Sequence, residues 1–228
     1  MSSLLRRSLL FAILAAVSLQ AQTQVTFTIA GTVNAAGGGY NASDPLTFTF
    51  VMSTASIPVG GFNNPYIYWI RDNTTSLFSS VSATGLTGTW NGTANPGGGV
   101  TDDEIVVNTA TSPSTLAFQS YTSSGDLRLL SPDATTVNFI YLQDEWTGLS
   151  LTNTGISDPV AYFAARTGTY SPVPGQNNSY MDFTAGSITF LPYSLTISAA
   201  AIPEPATDAM LAGLGVLSFV FLRRRRKA

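Results

Sequence analysis

Val25-Thr26-Phe27-Thr28-Ile29 and Leu46-Thr47-Phe48-Thr49-Phe50-Val51-Met52 decide how this chain folds. In each stretch large apolar side chains alternate with threonine, so an extended backbone places the apolar set on one face and the hydroxyls on the other. A helix turns 100° per residue and would scatter the same residues around its axis, so period two identifies strands. Further strand candidates are residues 66–71, 76–83, 86–91, 104–109, 115–121, 126–130, 135–142, 160–164, 180–184 and 187–197. Glycine, asparagine, proline and aspartate separate them, and 34–44, 60–65, 91–99 and 171–179 read as loops. No long stretch carries an apolar period of 3.6. Short strands joined by such turns predict an all-β domain, an antiparallel β-sandwich of which a jelly roll is one form.

Composition bounds the chemistry. Between residues 22 and 202 stand three arginines, no lysine and eleven carboxylates, a net charge of −8. Such a surface is a poor partner for nucleic acid or anionic lipid. Histidine and cysteine are absent from the whole chain, which excludes a Ser-His-Asp triad, a thiolate nucleophile and the usual imidazole or thiolate metal sites. No disulfide staples the fold, so stability must come from packing. Paired carboxylates remain available for glycoside hydrolysis, the densest groups being Asp102-Asp103-Glu104 and Asp144-Glu145. Adjacent strand residues face opposite ways, so neither Asp103 nor Asp144 can pair with the next residue; any pair would cross strands.

Two binding chemistries fit better than catalysis. Asp102, Asp103 and Glu104 follow a glycine-rich loop and offer hard oxygen ligands for calcium, the one cofactor worth testing, although no EF-hand spacing is present. Aromatic side chains near loops can stack on sugar faces; Trp90, Trp146 and Tyr40 are the foremost candidates, with covering the sandwich edge as the alternative for both tryptophans. Threonine-rich faces would also suit a matrix-packing or ice-binding surface, provided that Thr-x-Thr pairs line up across neighbouring strands.

The two ends carry addresses. Arg6 and Arg7 precede an apolar stretch from Ser8 to Val17 and then small and polar residues through Ala21, the order of a secretory signal peptide, so residues 1–21 are expected to be removed after passage through the secretory translocon. Residues 22–197 form the exported domain and 198–202 a short linker. At the other end Pro203-Glu204-Pro205 leads into an apolar run, residues 206–222, and then Arg223-Arg224-Arg225-Arg226-Lys227. Seventeen residues of helix cover roughly 25 Å, just enough for a hydrocarbon core of about 30 Å. The basic run orients such a helix with residues 223–228 in the cytoplasm and the domain across the membrane.

With its Pro-Glu-Pro element, short span and arginine cluster, the segment from Ile202 to Lys227 resembles the PEP-CTERM sorting signal of diderm bacteria, a segment also described as an ice-binding protein C-terminal domain. The resemblance implies that an exosortase, a membrane-embedded transpeptidase-like enzyme, cuts near Pro203–Pro205 and releases or re-anchors the domain. It implies export across the inner membrane, a membrane anchor before processing, and a final place at the cell surface or in the extracellular matrix. The chain is thus expected to be a substrate of exosortase rather than an enzyme, with a structural, adhesive or carbohydrate-binding role toward exopolysaccharide. The alternative is a carboxylate-dependent glycoside hydrolase or lyase.

Overall fold

The structure is a computed structural model and describes residues 22–35, 37, 40–53, 66–71, 77–83, 86–87, 104–111, 113–121, 128–129, 137–152, 156–175, 179–183 and 186–202. Gln24–Ala200 form one compact unit; of the second unit, Met1–Thr23 with Ala201–Ala228, only residues 22, 23, 201 and 202 are described, all of them in strands. The chain folds as β1 (Gln22–Val33), β2 (Pro45–Ser53), β3 (Ile67–Arg71), β4 (Ser80–Ala83), β5 (Leu86–Thr87), β6 (Glu104–Asn108), β7 (Thr115–Tyr121), β8 (Arg128–Leu129) and β9 (Val137–Thr147), then helix α1 (Pro159–Ala164), β10 (Gly168–Pro172), β11 (Ser179–Phe183) and β12 (Gly186–Ile202). It is mostly antiparallel β-sheet, as the alternation predicts.

One path of hydrogen-bonded neighbours runs β3-β6-β7-β9-β10-β12-β1-β2-β4, with β11 also joining β9 to β12; β5 and β8 pair separately. Strands β10 and β11 share a single lane. Near one end Ser171 and Pro172 lie opposite Thr147 and Trp146 of β9, while Gly168 to Tyr170 face Ile197 to Leu195 of β12. Farther along, Tyr180 faces both Tyr141 of β9 and Thr189 of β12.

This path does not lie flat. Strands β7 and β2 are five places apart on it, which would separate them by about 24 Å at roughly 4.8 Å per strand. Yet the Phe50 ring of β2 stacks on Phe118 of β7 with centroids 5.2 Å apart, and Phe27 of β1 meets Phe118 edge-on at 5.0 Å. The sheet therefore turns over between β7 and β2 and closes its two halves on one core. Val25, Phe27 and Ile29 of β1 and Leu46, Phe48, Phe50 and Met52 of β2 are all fully buried, the apolar set that period two selects. Burying a side chain of this size stabilises by about 1.5–3 kcal/mol, and each offset aromatic pair adds about 0.5–1.5 kcal/mol.

Four sequence expectations are corrected. Residues 160–164, read as a strand, are helical: Asp158 caps the helix by accepting from the Ala161 N–H at 3.0 Å, and Pro159 supplies a helical φ at the first position. Gly168–Pro172 is a strand, although its first residue stands at φ 156° and its last is a proline. Strand β9 continues past residue 142 to Thr147. Residues 198–202, expected to be a linker, are the end of β12.

The long strand β12 also changes face. Ile188 and Phe190 are buried, as are Leu195 and Ile197, an odd step that a regular strand cannot make. Pro192, which has no N–H for the ladder, sits in the gap, and Leu191 and Tyr193 beside it are exposed. Next to this irregularity β1 and β12 approach unusually closely. A Cβ on Gly31 would collide with the Leu191 carbonyl and the Phe190 ring. Gly31→Ala is expected to push the strands apart and destabilise the fold by about 2 kcal/mol, the range for overpacking, read as a lower denaturation midpoint in urea; an unchanged midpoint would refute the close contact.

Candidate functional site

The outer face of β1, β2 and β4 is where backbone register turns a sequence pattern into a surface. Thr28 lies opposite Thr49, and Thr49 opposite Ser82, giving one row of three hydroxyls across three strands. Beside it run Thr26, Val51 and Ser80, and on the other side Ala30 and Thr47. The threonines are half-buried, the serines exposed, and none of these side chains is charged. Neighbouring positions are about 4.8 Å apart across strands and about 6.8 Å along them. Single threonines thus meet once, at Thr28 and Thr49, but the Thr-x-Thr pairs are staggered by one repeat and do not line up, because Val51 and Ala30 occupy the adjoining rows. An ice face needs hydroxyl ranks that repeat; a packing surface needs only a flat, uncharged patch.

The aromatic candidates separate. Trp146 is 1 % exposed and part of the core, so its ring offers no face to a sugar, nor does it cover an outer edge. Tyr40 is half-buried in the β1–β2 connection, where it exchanges backbone hydrogen bonds with Gly37 at 2.9 and 3.0 Å. Burial, and then the Asp44 carboxylate, push its hydroxyl up to about 12. Trp90 lies outside the described residues. Among the described residues the most exposed large hydrophobic side chains are Tyr66 at 56 % and Tyr193 at 57 %; Tyr193 escapes a sequence reading because its exposure arises from the face change in β12.

Among the acidic candidates Glu104 opens β6, half-buried and in register with Arg71 of β3 and Gln119 of β7. Asp102 and Asp103 lie outside the described residues. Among the described residues no group of three or more His, Cys, Asp or Glu side chains is placed to hold a metal ion.

Asp144 differs from its neighbour, as alternation requires: Glu145 faces outward and Asp144 inward, 4 % exposed between Leu142 and Trp146 on the core face of β9. Desolvation raises its carboxyl to about 7, against the opposing effect of the Glu145 N–H, which donates to Oδ1 at 2.8 Å. Two residues along, the Trp146 indole Nε1 is buried with no hydrogen-bond partner. Sequence alone shows Asp144 in an apolar phase, Leu142-x-Asp144-x-Trp146, but only if the strand is carried past residue 142.

Because the native carboxyl binds its proton more tightly than the unfolded one, the group's contribution to stability is fully present below about pH 4 and is lost as pH rises to about 7. Wild type should lose about 4 kcal/mol over that window. Asp144→Asn should show no such loss from this site, and should be the more stable of the two at pH 8 in urea titrations. Parallel pH profiles for the two proteins would contradict the raised carboxyl.

Residues 201–226 match the PEP-CTERM protein-sorting motif, so the chain carries a PEP-CTERM sorting signal. The motif marks an exported protein that is recognised and sorted by an exosortase in association with the membrane. Neither a curated protein nor a solved structure matches the chain. Among the described residues no helix is long and apolar enough to cross a membrane; the expected signal peptide, residues 1–21, the Pro203-Glu204-Pro205 element, the expected span, residues 206–222, and the Arg223–Lys227 tail lie outside them.

Proposed function

We propose that the exported domain is a structural or adhesive component of the cell surface or extracellular matrix of a diderm bacterium, set in place by exosortase processing and packing against exopolysaccharide. The observation that carries this reading is the uncharged hydroxyl row Thr28–Thr49–Ser82 with its flanking positions. Hydroxyls on a pleated surface can exchange water for sugar hydroxyls at small net cost, so many weak contacts over a flat face suit a neutral polymer better than a single pocket does. An acidic domain of net charge −8 would repel a polyanionic glycan, which favours a neutral one. In this reading residues 206–222 anchor the chain through the inner membrane until processing, and calcium at Asp102, Asp103 and Glu104 is an accessory possibility only.

Thr49→Lys with Ser82→Lys changes the outer face and leaves the core untouched. In native cells this variant is expected to shift from the matrix-bound fraction to the medium at least five-fold, with its unfolding midpoint unchanged; unaltered retention would move the contact elsewhere. A second reading, carboxylate-dependent cleavage of a glycan, draws on Asp144, whose carboxyl titrates near neutrality as a general acid requires. It has to contend with the 4 % exposure of that residue. Release of sugar products abolished by Asp144→Asn would favour it.

A further inference from the structure

From Ile188 to Ile197 strand β12 buries side chains on the core, but Ser198, Ala199, Ala200 and Ala201 are all exposed, on both faces of the strand. The last stretch of β12 is therefore extended backbone with neither face packed. Its side chains are among the smallest available, and no charged residue occurs from Gly186 to Ile202. The PEP-CTERM match begins at residue 201, inside this strand, and Pro203 follows its last residue directly. Three residues span at most about 10 Å. An enzyme that encloses a bond near Pro203–Pro205 then works within about 10 Å of chain from the strand end.

From this geometry we infer that the exposed end of β12, Ser198–Ala201, is the surface over which the sorting enzyme closes on the folded domain, and that its small, uncharged side chains provide the clearance. The inference rests on the exosortase reading. It goes beyond that reading in assigning a contact to residues upstream of the Pro-Glu-Pro element. A membrane surface or a second copy of the chain would be a different occupant of the same strand end.

The test uses the full chain in its native cells. Ala199→Trp and Ala200→Trp place bulk on the two faces, and intact-mass spectrometry of the membrane and medium fractions reads the proportion of chains that have lost residues 206–228. Each tryptophan variant is expected to lower that proportion at least five-fold while leaving the unfolding midpoint of the domain unchanged. Ten Gly/Ser residues inserted between Ala200 and Ala201, with an r.m.s. reach of about 17 Å, should restore processing in the tryptophan variants and leave it intact in an otherwise unaltered chain. Normal processing of both tryptophan variants overturns the inference. So does a loss that the spacer fails to restore, because the strand end would then serve lipid or another copy. If the unaltered chain itself retains residues 206–228, the sorting reading falls, an outcome distinct from either of these.

Discussion

The stacked contact between Phe50 and Phe118 holds the architecture together, because it joins strands that the hydrogen-bond path keeps five places apart. Without it, and without Phe27 packed against both Phe118 and Phe163 of α1, the sheet would be an open ribbon with one wet apolar face. The overturned sheet gives that face a partner, and burial of the apolar set supplies the stability that cysteine-free packing must provide. Everything outside follows from the same constraint: once β1 and β2 commit Val25, Phe27, Leu46 and Phe48 inward, their threonines can only point out.

That coupling explains why so much was legible in the residues themselves. Strands β1, β2, β3, β6, β7 and β11 lie where alternation and turn residues put them, since each is governed by local pattern. The β10/β11 lane was not legible, because β10 contains glycine, serine and proline and is held in place by two long neighbours rather than by its own propensity. Val160–Ala164 reads as a strand until Asp158-Pro159 is recognised as a helix start. Trp146 reads as a loop aromatic only if the strand before it ends at residue 142, which hides the face it shares with Ile140 and Leu142. Register, on which the hydroxyl row depends, is a property of pairs of strands and has no signature in one.

The two ends of the chemistry are unequal in the same way. The sorting address is written in contiguous residues and was readable outright. Asp144 is defined by its surroundings: an ordinary carboxylate in sequence, it becomes a group poised near neutral pH only when a core closes around it, on the same face as the buried Trp146 indole.

Strand β1 is paired with β2 on one side and β12 on the other, and the Asn34 N–H bonds the Thr189 carbonyl at 2.9 Å. Strand β1 therefore has to wait for β12. A chain made from its N-terminus can assemble the β1–β2 hairpin early, but β1 holds an unpaired edge until the roughly 150 residues between it and β12 have followed. Such late, long-range closure is slow and leaves a sheet edge exposed meanwhile. It also sets a clock: the domain becomes whole only once the strand that runs into the sorting motif has arrived, so completion of the fold and arrival of the sorting signal are one event in the history of each molecule.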